Sequence, residues 1–95
     1  MILGIVTGTV TSSSNNTDIR GGRYLLINKC NKQGETKNDF LVALDLVSAG
    51  NGEMVMIAQS TSARETPTTR NKAVDAIVVG IVDVIDENGK VVYKK

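Results

Sequence analysis

The run AIVVGIVDVI, residues 76–85, constrains the fold more than any other part of the chain. It is built from β-branched aliphatic residues, which fit a pleated strand better than a helix. Strict alternation places Ile77, Val79, Ile81 and Ile85 on one face and Val78, Val82 and Val84 on the other. Both faces are apolar. A strand in the wall of a small barrel turns only one face to the core, so the other face asks for a partner, and a second copy of the chain is the simplest one. Val78, Val82 and Val84 are therefore the candidates for a subunit interface.

Other segments repeat the period-two pattern. Residues 2–11 alternate, with Gly4 and Gly8 on the face of Ile2, Val6 and Val10. Glycine within a strand marks a sharp bend or a close backbone approach. Further strands are expected at residues 23–29, 39–47, 53–59, 73–86 and 91–93. The polar stretch SSSNNTD, residues 12–18, separates the first two. Asn88-Gly89 is a strong hairpin signal, since a type I′ turn needs positive φ at both central positions. One helical turn is expected at residues 67–71, with Thr66 as N-cap and Pro67 at the first helical position. The fold class is thus all-β: a small OB-like closed barrel of five to six strands with one short helical turn. Closure removes exposed strand edges, and a β-sandwich is the runner-up.

At 95 residues the chain makes one domain, residues 1–95. A domain of this size buries only about 60 to 65 % of the surface its unfolded chain exposes, which also favours self-association. Aromatic residues make up 3 %, so the core is aliphatic.

Several function classes are disfavoured. Eleven basic and ten acidic residues leave a formal charge of +1, which gives no field to hold a polyanion or an anionic membrane. Three aromatics supply too few stacking platforms for single-stranded nucleic acid. No apolar run approaches the length of a membrane span, and the N-terminal MILGIVTGTV lacks a basic leader, so a cytoplasmic protein is expected. The single Cys30 fits the same compartment.

No histidine is present to activate Ser60, Thr61 or Ser62 as a nucleophile. One cysteine and scattered carboxylates make no metal set, and no cofactor is expected. The turn Ala49-Gly50-Asn51-Gly52-Glu53 precedes a strand rather than a helix, so it is a glycine turn and not a phosphate loop. Asp45, Asp75 and Asp83 lie in or beside apolar strands. A buried carboxylate is costly unless paired, so these are assigned structural roles, with Arg64 or Arg70 as partners.

The residues also carry a resemblance. MILGIVTGTV, GGRYLLIN, LVALDLVSAGNGEMVMIAQSTSAR and AVDAIVVGIVD resemble, in order and spacing, the bacterial microcompartment vertex proteins, which include the ethanolamine-utilisation and carboxysome vertex subunits. The resemblance covers nearly the whole chain, with Ser48 where the family commonly has glycine and Thr61 where serine is usual. It implies an OB-like barrel forming a homopentamer that caps the vertices of an icosahedral shell, beside hexameric shell proteins. Such a subunit is structural. It would place the small hydroxyl cluster Ser60, Thr61, Ser62, Ala63 and Arg64 near the ring axis, where side chains of several copies converge. The alternative from another class is an OB-type module binding an oligonucleotide or small ligand.

Overall fold

The computed structural model of the chain describes residues 1–11, 23–59 and 76–95. Seven strands are present among them: β1 (Ile2–Val10), β2 (Tyr24–Cys30), β3 (Thr36–Asp45), β4 (Met54–Gln59), β5 (Ala76–Ile81), β6 (Val84–Glu87) and β7 (Lys90–Lys94). The first five close into a barrel in the order β1-β2-β3-β5-β4, and β6 and β7 form a separate hairpin. All barrel pairings are antiparallel except β3 with β5, which run parallel. The all-β closed barrel expected from the sequence is borne out. The helical turn expected at residues 67–71 falls outside the described residues.

The core is formed by the inward residues of all five barrel strands. Val6, Leu25, Ile27, Ala43, Val55, Ile57, Ala76 and Val78 make one cluster, joined by Ala49 from the turn after β3. These side chains are aliphatic and none carries an aromatic ring, which suits the narrow interior of a five-stranded barrel. Gly4 shows how narrow it is. A Cβ added there would lie 2.4 Å from Ile27 Cγ2 and 3.3 Å from the Asn28 carbonyl oxygen, so only glycine lets β1 pass this close to β2.

Two bulges change the faces that simple alternation assigns. In β1 the pairing steps from Val6↔Ile27 to Gly8↔Leu26, leaving Thr7 as the extra residue. Its hydroxyl donates to the Leu26 carbonyl at 3.0 Å. Gly4 therefore stays in the packed interior, while a Cβ at Gly8 would meet nothing within 4 Å. In β5 the pairing steps from Ile57↔Val78 to Met56↔Gly80, leaving Val79 extra. An extra residue reverses the facing of everything beyond it. Val78 and Ile81 consequently both pack on the interior cluster, whereas Ile77 and Val79 join Leu44, Ala58 and Tyr24 outside it.

The single strand expected over residues 73–86 is in fact divided at Val82 and Asp83. Val82 N donates to the Met54 carbonyl at 2.8 Å, and its side chain packs with Cys30 and Met54. The chain then leaves the barrel wall and forms the β6–β7 hairpin around Asn88 and Gly89, whose φ values are +55° and +79°. The hairpin lays Ile85 and Tyr93 over Leu3, Ile5 and Met54, on the outer face of β1 and β4.

Candidate functional site

The turn between β3 and β4 is stitched together from both ends. Asp45 closes β3, and its side chain is 1 % exposed. Its Oδ1 accepts the backbone N–H of Val47 at 3.0 Å and of Ala49 at 3.3 Å. Its Oδ2 accepts Arg23 Nη1 at 2.8 Å. The carboxylate thus folds the next four residues back on itself, as aspartate does at turns. Ser48 takes a φ of +59° and Ala49 is fully buried.

The second half of the turn is closed by Glu53. Its Oε1 accepts the Gly50 N–H at 2.6 Å, and its Oε2 accepts from Lys95 Nζ. Gly52, at a φ of +85°, donates its N–H to the Val6 carbonyl at 2.8 Å, and Val6 N donates to the Glu53 carbonyl at 3.0 Å. The hydrogen bond from Lys95, reinforced by the Gly50 N–H, holds the Glu53 carboxyl below the usual glutamate range. The bond to Glu53 raises Lys95 in turn. The turn is therefore fastened to β1 on one side and to the end of the β7 hairpin on the other.

The structure corrects three assignments made from sequence alone. Val78 is fully buried and Val82 is 7 % exposed within the single chain, so neither side chain has surface to offer a neighbour. Alternation groups Val78 with one face without saying which face is inward, and the barrel takes that face in; the break after Ile81 then lays Val82 on Cys30 and Met54. Of the three interface candidates, Val84 alone is exposed. The partner assigned to Asp45 also changes: it is Arg23, because pairing of Tyr24 with Leu44 brings the residues flanking them together. Asp83 is exposed and uses its carbonyl, accepting from Lys95 N at 2.8 Å, so it is not a buried carboxylate. Asp75, Arg64 and Arg70, and the whole cluster Ser60, Thr61, Ser62 and Ala63, lie outside the described residues.

Sequence reasoning missed Arg23, Lys95 and Phe40. The first two act through cross-strand register, which local pattern does not encode. Phe40 did carry a signal, since it is the chain's one phenylalanine and directly follows the polar run Glu35 to Asp39.

Among the described residues no group of three or more histidine, cysteine, aspartate or glutamate side chains is placed to hold a metal. No buried side-chain polar atom among them lacks a hydrogen-bond partner. Burial pushes the Cys30 thiol up, opposed by the nearby Lys37 charge, so Cys30 packs as a small apolar side chain. The described surface offers contact area and a fastened turn, and no aligned reacting groups. The molecule is thus an OB-like barrel carrying an appended hairpin, with the features of a packing and assembly unit.

The comparisons with known proteins agree with that class. Residues 1–83 match the family described as "Ethanolamine utilisation protein EutN/carboxysome". The bacterial microcompartment shell vertex protein GrpN of Rhodospirillum rubrum is 37 % identical over 86 residues, covering 90 % of this chain and 97 % of that protein. The solved structure of Gloeobacter violaceus CcmL superposes with a TM-score of 0.94 at 33 % identity, covering 100 % of this chain and 98 % of the other. The structure described as the GrpN pentameric microcompartment shell protein from Rhodospirillum rubrum has a TM-score of 0.82 at 37 % identity, covering 92 % and 99 %. The chain belongs to the EutN/CcmL family.

Proposed function

We propose that this chain is a structural shell subunit that assembles with itself into a pentamer and caps the vertices of a bacterial microcompartment. The observation that carries the reading is whole-chain similarity to proteins named shell vertex proteins, 30 to 37 % identical, one of them solved as a pentamer. The reading places the protein in the shell of a cytoplasmic assembly and gives it no catalytic task. Its contacts in the shell would be hexameric shell proteins along the pentamer rim. The OB-type binding module is the weaker reading, because a formal charge of +1 and three aromatics give a nucleic acid little to bind.

Light scattering or native mass spectrometry of the purified chain tests the proposal. A mass of five subunits at micromolar concentration is the expected result. A stable monomer under the same conditions, combined with salt-sensitive binding to single-stranded DNA, would replace the shell reading with the binding module. Within the pentamer, the cluster Ser60 to Arg64 is proposed for the axis on sequence grounds.

A further inference from the structure

We infer that the ring closes by seating the outer face of β3 of one copy, through Phe40 and Val42, against the outward face of the β6–β7 hairpin of the next, through Val84 and Val91. The inference rests on the pentamer reading and specifies which surfaces meet. A cyclic ring of five needs two different patches on separate flanks of each subunit, because head-to-tail contacts bring unlike surfaces together. The described residues offer such a pair.

The first patch lies on β3. Phe40 is 47 % and Val42 46 % exposed, and they share the outer face with Leu26, which pairs with Val42. The second lies on the hairpin. Ile85 and its cross-strand partner Tyr93 face the barrel. Val84 and Val91, the latter opposite Asp86, take the reverse face, and are 51 % and 60 % exposed. Each pair lies side by side on one face of its element, and it is such adjoining exposed apolar side chains, rather than scattered ones, that mark a surface meeting a partner.

The topology puts these two patches across the molecule from each other. In the closed order β1-β2-β3-β5-β4, strand β3 stands opposite the adjoining pair β1 and β4. The hairpin is packed on the outside of that pair. A head-to-tail succession of copies therefore brings β3 of one toward the hairpin of the next.

The β3 edge favours side-chain docking over strand addition. β3 pairs with β5 only at Leu44 and Asp45, so among the described residues the edge from Thr36 to Ala43 has no strand beside it. An irregular step between Asn28 and Cys30 disrupts that stretch, with Asn38 at a φ of +55° and the Asn28 side chain accepting the Asp39 N–H at 3.0 Å. Bulges and charged residues of this kind blunt an edge against pairing with another strand. What remains available is the apolar outer face.

Paired thiols test the arrangement. A chain carrying both F40C and V91C, treated with a short bis-maleimide, should give a covalent ladder ending at five subunits. Neither single variant should give one, and the unmodified chain controls for Cys30. F40D should separately release folded monomers, with an unchanged circular dichroism spectrum. If the double variant has the mass of a pentamer yet yields no ladder, the pairing of surfaces is overturned and the pentamer stands. If F40D remains fully pentameric, the pairing is overturned likewise. If the unmodified chain is monomeric, the pentamer reading fails and this inference fails with it.

Discussion

Asp45 and Arg23 form one ion pair with two unequal members. The aspartate side chain is 1 % exposed and organises two backbone N–H groups, whereas the arginine side chain is 49 % exposed. Removing the carboxylate leaves the Val47 and Ala49 donors without their acceptor, at a cost of about 1 to 3 kcal/mol. Removing the exposed arginine forfeits a largely solvated pair, worth about 1 kcal/mol or less. Asp45→Ala should therefore lower the denaturant midpoint clearly more than Arg23→Ala. Equal losses in chemical unfolding would show that the ion pair, and not the turn it folds, carries the stabilisation.

The hairpin is the element whose stability depends most on its neighbours. A two-stranded hairpin alone is marginal in water, so β6 and β7 persist through what they pack against. Tyr93 supplies much of that contact, lying beside Met54 and over Gly34, where an added Cβ would come within 3.1 Å of the ring. The pair Lys32–Glu87, at 2.5 Å, adds an exposed tether near the tip. Tyr93→Ala should cost about 1 to 2 kcal/mol, below the range for a fully buried aromatic, because Tyr93 is only half-buried. Hydrogen exchange should then rise over residues 84–94 while the barrel strands stay protected. Unchanged protection of the hairpin would contradict this account.

The Glu53–Lys95 contact couples that hairpin to the β3–β4 turn. Because the folded-state pKa of Glu53 is lowered, its stabilisation is present above the unfolded glutamate value of about 4.3 and is lost as pH falls through the lower folded value. Glu53→Gln should thus lower the melting temperature near neutral pH and narrow the drop seen on acidification. A drop of unchanged size would place the acid sensitivity elsewhere.

At the scale of the whole molecule the function proposed is assembly, and five-fold repetition makes small side chains matter near an axis. If Ser62 lies there, each ring carries a circle of five copies of it. Two unit charges about 6 Å apart repel by roughly 3 kcal/mol at an effective dielectric near 20. Ser62→Glu should therefore shift the light-scattering mass below that of a pentamer, while Ser62→Ala should keep it. A Ser62→Glu chain that assembles as tightly as the unmodified one would remove Ser62 from the axis without touching the subunit's fold.

The strand content, the glycine turn at residues 49–53, the Asn88-Gly89 hairpin and the closed barrel were legible because each depends on local chemistry: β-branched alternation, positive φ and chain length. The order of motifs along the chain was enough to place the family. The facing of residues beyond Thr7 and Val79 was not legible, since a bulge shifts the phase of alternation by one residue and leaves no mark on composition. A run that is apolar on both sides, such as residues 76–85, gives alternation nothing to lock onto, so Val78 and Val82 read as outward when the barrel takes them in. The charged partners of Asp45 and Glu53 were decided by tertiary structure alone. Arg23 and Lys95 meet them through strand register and hairpin docking, contacts set by how distant segments pack and not by any spacing along the chain.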